Sequence, residues 1–273
     1  MDYIKFAKKI AFHAGRVMKK YFRKTNISNY KADRTIVTKA DIEINEYLIK
    51  MVKKYYPNHS VDGEENSFGK SKYVWVCDPV DGTAMYARGV PVAVFSLALV
   101  VDGTSQIGVV YDPWLDNLYE AEKGKGAFKN GKKIHVSDIR IGQKECMANF
   151  DMWVGCEFDM VSVLEKLKDS NYFVGVGSVI RAGLLVAEGH FAYAMFPGTK
   201  HKNCDIAAIN VIIKEAGGKV TDFYGKEQRY DKDINGALMS NGVVHDQVVK
   251  VIGSTIKKKE VKNEINTSKH SKK

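Results

Sequence analysis

The chain has 273 residues, 45% of them hydrophobic and 27% charged, with 23 glycines, 5 prolines and a formal net charge of +10. That is enough apolar content for a sizeable core, and too little glycine and proline for a fibrous or low-complexity chain. The charge is uneven: residues 1–56 carry 14 basic and 5 acidic side chains, residues 257–273 carry 7 lysines and 2 glutamates, and the stretch between them is net acidic.

The basic ends show no zinc-finger, RRM or KH pattern and read as solvated helix faces plus a tail, so nucleic acid is not an expected partner. The longest apolar run, residues 92–101, is about half of the roughly 20 residues a membrane span needs. The first twenty residues lack the apolar core and cleavage site of a secretory signal, and a cytoplasmic protein without a membrane partner is expected. Cys77, Cys146, Cys156 and Cys204 are widely spaced with no C-x-x-C, which favours buried free thiols over disulfides or zinc.

In chain order, apolar residues recur every three or four positions over residues 3–21 and predict an amphipathic helix with lysines on its outer face. Thr38-Lys39-Ala40-Asp41 has capping-box spacing and opens a second helix over residues 42–56, closed by Pro57. Strands are predicted over 73–77, 93–101, 108–111, 118–121 and 126–128 from β-branched and aromatic content between glycines. The second half alternates: helix 158–167, extended 173–176, helix 178–187, extended 191–196, helix 205–215 ending at Gly217-Gly218, strand 237–239 and helix 243–256. Residues 257–273 have too little apolar content to order themselves and are expected to be a disordered tail. The class is α+β, with sheets covered by helices.

Chemistry concentrates at Asp78-Pro79-Val80-Asp81-Gly82-Thr83, directly after an apolar strand. Two carboxylates three residues apart at a strand end can converge on one cation; Pro79 stiffens the turn and Gly82 lets backbone approach a ligand. A helix starting near Thr83 would offer its free N–H groups to a phosphate. Five fixed residues in this order arise by chance in about one chain in 10⁴ of this length. Upstream lies Asp62-Gly63-Glu64-Glu65, on its own an acidic turn. Downstream, Asp205-Ile206-Ala207-Ala208 opens the helix that ends in Glu215-Ala216-Gly217-Gly218, where Asp205 alone would be a cap.

In this order the motifs resemble the inositol monophosphatase family, Mg²⁺-dependent and lithium-sensitive phosphomonoesterases that include fructose-1,6-bisphosphatases, histidinol-phosphate phosphatases and 3′-phosphoadenosine-5′-phosphate phosphatases. The resemblance covers about residues 5–256. It implies a layered α-β-α-β-α sandwich of the inositol monophosphatase / fructose-1,6-bisphosphatase type. The phosphatase domain would span residues 1–256 with halves meeting near residue 140, and two copies would form a homodimer. By matching positions, Glu64, Asp78 and the Val80 carbonyl would hold a first Mg²⁺, and Asp78, Asp81 and Asp205 a second. Asp41 would help a weaker third ion, compatibly with its capping role. Oxygen donors suit Mg²⁺ or Mn²⁺ rather than zinc.

The same resemblance implies hydrolysis of a small phosphorylated metabolite by water activated at the metals beside Glu64 and Thr83, with Asp41 in a supporting role. Asp81, Gly82, Thr83, Gly177, Ser178 and Asp205 would line the substrate. The sequence departs from the family where Cys204 replaces a Trp and where Ala84-Met85-Tyr86 replaces an Asn-Phe pair. Phe196 falls where animal members carry a Glu that hydrogen-bonds inositol hydroxyls. The segment after it is two residues longer and brings Lys200 and Lys202 beside Asp205. A solvated loop is one reading; the other is that these lysines favour a leaving group with a second anion, such as a sugar or nucleotide bisphosphate. A non-catalytic phosphate-binding protein would be expected to have lost a ligand, and all four acidic positions are filled.

Overall fold

The structure is a computed structural model that describes residues 2–24, 27–30, 36–153, 156, 158–198 and 202–256. The expected lysine-rich tail therefore lies outside the described residues, as does Lys200.

Helix α1 (Tyr3–Tyr21) forms where the period predicts it. Asp2 accepts the Ile4 N–H at 2.9 Å, and Phe6, Ala7, Ile10, Ala11, Ala14, Val17 and Met18 make one buried stripe. Strands β1 (Ile27–Tyr30) and β2 (Ile36–Thr38) pair antiparallel and lead into α2 (Lys39–Tyr55). The Thr38 N–H and hydroxyl both donate to one Asp41 oxygen, at 2.8 and 2.5 Å, so the capping role expected of Asp41 is present.

A seven-stranded sheet follows in chain order: β3 (Ser60–Gly63), β4 (Tyr73–Asp81), β5 (Val94–Val101), β6 (Thr104–Asp112), β7 (Asn117–Glu122), β8 (Gly126–Lys129) and β9 (Lys132–Lys133). Only β3–β4 is parallel; the other neighbours are antiparallel. A short helix α3 (Thr83–Ala87) leaves the end of β4. Alternation along the central strands fills both faces. Trp75 and Cys77 point into the core under α1 and α2, whereas Val74 and Val76 point to the opposite core. Such two-sided burial explains why β5 reads as a continuous apolar run.

The second sheet has the order β11-β10-β12-β14-β13, built from β10 (Met147–Phe150), β11 (Tyr172–Val174), β12 (Tyr193–Phe196), β13 (Lys219–Thr221) and β14 (Ala237–Ser240). Helices α5 (Val179–Ala187) and α6 (Cys204–Glu215) pack between the two sheets, and α4 (Met160–Leu167) and α7 (His245–Thr255) cover the outer face of the smaller one. The result is the five-layer α-β-α-β-α sandwich. Strands β1, β2, β3, β9, β10 and β13 have no clear signal in the sequence: each is two to four residues long, and pairing with a neighbour, not its own pattern, makes it a strand.

Candidate active site

The active-site candidates gather where β3, β4, α5 and α6 end or begin. In β4, Asp78 pairs with Ser96 and Asp81 with Val94, so three steps on one strand face two on the other. This bulge falls at Pro79, which has no N–H to give the ladder. In a regular strand residues three apart point to opposite faces; the extra residue cancels that alternation for the two carboxylates. The Val80 N–H donates to Asp78 Oδ1 at 2.9 Å, and the Thr83 hydroxyl donates to the Val80 carbonyl at 2.7 Å.

Gly82 follows with φ +86°, and a Cβ there would stand 3.0 Å from the Gly177 carbonyl oxygen and 3.2 Å from Ser178 Cβ. The two motif loops therefore touch, and only glycine permits both the dihedral and the approach. Asp81 lies at the start of α5: it accepts the Ser178 hydroxyl, the Ile180 N–H at 2.9 Å and the Val179 N–H at 3.3 Å. A carboxylate from one half of the chain thus caps a helix of the other half. The Gly177 N–H is held by Asp151, at 3.2 and 3.3 Å to its two oxygens.

Asp205 stands in the first turn of α6, and donor atoms of Asp78, Asp205 and Cys204 lie within 4.8 Å of one another. Glu64 joins from the turn after β3, its N–H donating to the Cys77 carbonyl at 3.1 Å. Lys202 Nζ reaches Glu64 Oε1 at 2.7 Å, the two side chains being only 20% and 11% exposed. The solvated-loop reading of Lys202 is thereby corrected, because the lysine is drawn inward by buried carboxylates. Asn203 beside it donates to Asp62 Oδ2 at 2.7 Å and to the Tyr230 carbonyl at 3.0 Å. Phe196 is fully buried and tilts against Trp153 at 5.4 Å, so its ring belongs to the core beneath the loop.

Electrostatics define what this cluster needs. Burial, then the nearby charges of Glu64, Asp81 and Asp205, push the Asp78 carboxyl well above the usual range. Burial and the neighbouring Asp205 push Asp81 up to about 7 against the pull of its Ser178 and Ile180 hydrogen bonds. Burial raises Asp205 as well, with Lys202 opposing. Asp41 is pushed up to about 8, mainly by burial, and its Oδ1 has no hydrogen-bond partner among the described residues. Carboxylates this close and this dry cannot all ionise without added positive charge. Burial also raises the Cys204 thiol well above its usual value, and a soft thiol is a poor match for a hard cation such as Mg²⁺. Hard oxygen donors with an orphaned buried oxygen nearby fit Mg²⁺ or a similar cation.

Asp151, which fixes Gly177, belongs to no motif and has no signal in the linear sequence. Glu64 and Lys202 are each marked by the sequence, but their pairing joins segments that meet only in the fold. A layered sandwich with buried carboxylates at the ends of its strands and the starts of its helices is the build of a metal-dependent phosphoric monoester hydrolase. The comparison with known proteins agrees. A model of the inositol monophosphatase family matches residues 2–257. A fructose-1,6-bisphosphatase/inositol-1-monophosphatase of Thermotoga maritima is 33% identical over 258 residues, covering 94% of this chain and 98% of that one. A histidinol-phosphatase of Chlorobaculum parvum is 29% identical over 256 residues, with 92% and 96% covered. The solved structure of a Thermotoga maritima IMPase superposes with a TM-score of 0.82 at 31% identity, covering 93% of this chain and 98% of that one. The chain belongs to the inositol monophosphatase family and is a metal-dependent phosphomonoesterase.

Proposed function

We propose that this enzyme hydrolyses small phosphorylated sugars or polyols with two or three Mg²⁺ ions, or Mn²⁺ in their place. The observation that carries the reading is the convergence of Asp78 and Asp205, from β4 and α6, in one dry cluster whose carboxyls are pushed upward by burial and by neighbouring carboxylates. When bound, the metal supplies Lewis acidity and lowers the pKa of water. Glu64, Asp78 and the Val80 carbonyl would hold one ion, Asp78, Asp81 and Asp205 a second, and Asp41 Oδ1 would assist a third.

The chain's own groups would do the rest. Thr83 and Glu64 would orient the attacking water, and the Thr83 hydroxyl donates to the Val80 carbonyl at 2.7 Å. The backbone N–H groups at Gly82 and Thr83 would receive the phosphoryl oxygens, their direction set by the positive φ of Gly82. Gly177, Ser178 and Asp205 would form the far wall, and Asp81 would join the two walls through Ser178 and the start of α5.

A preference for bisphosphates is the second reading, favoured by a lysine, Lys202, inside the acidic cluster where a monoester needs none. Relatives named for both fructose-1,6-bisphosphate and inositol-1-phosphate support including both classes in a test. The experiment is phosphate release from inositol 1-phosphate, sugar bisphosphates, 3′-phosphoadenosine-5′-phosphate and histidinol phosphate in Mg²⁺, with and without lithium. Turnover of at least one, abolished by chelator, is the expected result. A folded protein inert on the whole panel would favour a phosphate-binding role. Residues 1–256 are proposed to act as one phosphatase domain within a homodimer, which light scattering reads directly. No helix among the described residues is long and apolar enough to cross a membrane.

A further inference from the structure

Lys202 carries the inference. It stands on the segment that runs into α6, 138 residues from Glu64 in sequence, yet its ammonium lies 2.7 Å from Glu64 Oε1. The contact is not a chance meeting of two flexible surface chains. Asn203, next in sequence, is tied to Asp62 Oδ2 and to the Tyr230 carbonyl, which fixes the backbone from which Lys202 extends. On the other side, the Glu64 N–H is bound to the Cys77 carbonyl, which fixes the backbone of the acceptor. Both ends of the ion pair are therefore anchored, and both side chains are largely buried.

We propose that Lys202 is a tethered cation that latches Glu64 and competes with the first metal ion for that carboxylate. The proposal rests on the assignment of Glu64 as a ligand of that ion. An ammonium and a divalent cation held against one carboxylate in a largely buried site repel each other strongly. Metal entry at Glu64 would therefore loosen or displace Lys202. The latch serves a purpose when the ion is away: it compensates a group of buried carboxylates that would otherwise repel one another. It also raises the metal concentration at which the site fills, so Lys202 sets the enzyme's metal requirement as a positioning residue for Glu64.

The test uses the full chain, stripped of metal, with Mn²⁺ as the probe. Lys202→Met keeps most of the stem and removes the charge; Lys202→Arg keeps the charge. Calorimetry and the Mn²⁺ spin-resonance signal are expected to show binding about tenfold tighter in Lys202→Met, from removal of one like charge close to the ion. Its melting temperature without metal is expected to fall by about 6–20 °C, from loss of one partner of a buried pair, and to rejoin that of the parent chain at saturating Mg²⁺. Lys202→Arg should stay close to the parent in both. In the unmutated chain, acetylation of Lys202 followed by mass spectrometry should be slow without metal and rise on adding Mg²⁺; this holds the proposal to account even if a variant fails to fold. Unchanged or weaker Mn²⁺ binding by Lys202→Met, or Lys202 labelling indifferent to Mg²⁺, overturns the latch while leaving the metal assignment standing. Absence of any Mn²⁺ binding by the parent chain overturns both.

Discussion

Gly108 in β6 leaves no room for a side chain beneath the helix that carries Asp205. The strand passes beneath α6, and a Cβ at Gly108 would stand 2.4 Å from the Ala208 carbonyl oxygen and 2.7 Å from Val211 Cγ1. Ordinary van der Waals contact begins at 3.4 Å, so in Gly108→Ala the helix must retreat, or the strand sink, by about 1 Å. The carbonyl cannot swing aside alone, because it belongs to the hydrogen-bond ladder of α6. Overpacking of this kind costs about 1–3 kcal/mol. At about 2–4 °C per kcal/mol for a chain of this size, the melting temperature should fall by roughly 2–12 °C. Asp205 lies less than one turn before Ala208 on the same helix, and a retreat of α6 carries its carboxylate along. Misplacement by about 1 Å can cost a reaction about 10²-fold. Thermal melting and Mg²⁺-dependent turnover, measured on one preparation, read the two effects separately. A variant with the parent's melting temperature and turnover would refute the argument. A lower melting temperature with full turnover would place the yielding in the sheet instead of the helix.

Asp78→Asn should cost more kcat/KM than Asp205→Asn, because Asp78 is assigned to two ions and Asp205 to one; equal and mild losses in a Mg²⁺ titration would defeat the two-ion assignment. His245 is buried between Thr221 and Ser240, at 2.9 and 2.7 Å, and burial, with Lys219 adding, lowers its pKa from 6.5 to about 4. The folded state thus binds fewer protons than the unfolded one, so this contribution is complete above about pH 6.5 and is lost as pH falls to about 4, a change of about 3 kcal/mol. Denaturant unfolding across that window checks it, and a stability profile that stays flat from pH 7 to 4 would count against it. Gly82→Ala should reduce both stability and turnover, since a φ of +86° and the Gly177 carbonyl at 3.0 Å leave no room for a methyl group; an active variant that melts with the parent would contradict this.

Much of the molecule was legible before its tertiary structure. The helical period of residues 3–21 and the Thr38–Asp41 spacing determine α1 and the start of α2, because local hydrogen bonds and one buried stripe suffice to define a helix. The apolar runs of β4 and β5 announce a buried sheet, and the Asp-Pro-x-Asp-Gly-Thr motif announces carboxylates converging at a strand end; Glu64 upstream and Asp205 downstream join it through the resemblance to the inositol monophosphatase family. Apart from that resemblance, these are properties of neighbours in sequence.

What only the tertiary structure decided depends on partners far apart along the chain. β10 and β13 are strands because β12 and β14 pair with them. Asp81 meets Ser178 across 97 residues and accepts the first N–H groups of α5 beside that Ser178 cap, a role no local pattern encodes. In the sequence Lys202 is either part of a solvated loop or a lysine of the site, and only the fold carries it to Glu64. Phe196, which the sequence shows only as unable to accept a hydrogen bond, proves to place its ring in the core against Trp153. Burial is the physical reason in each case. It makes an unpaired carboxylate costly and an anchored lysine valuable, and it is created only when the layers close on one another.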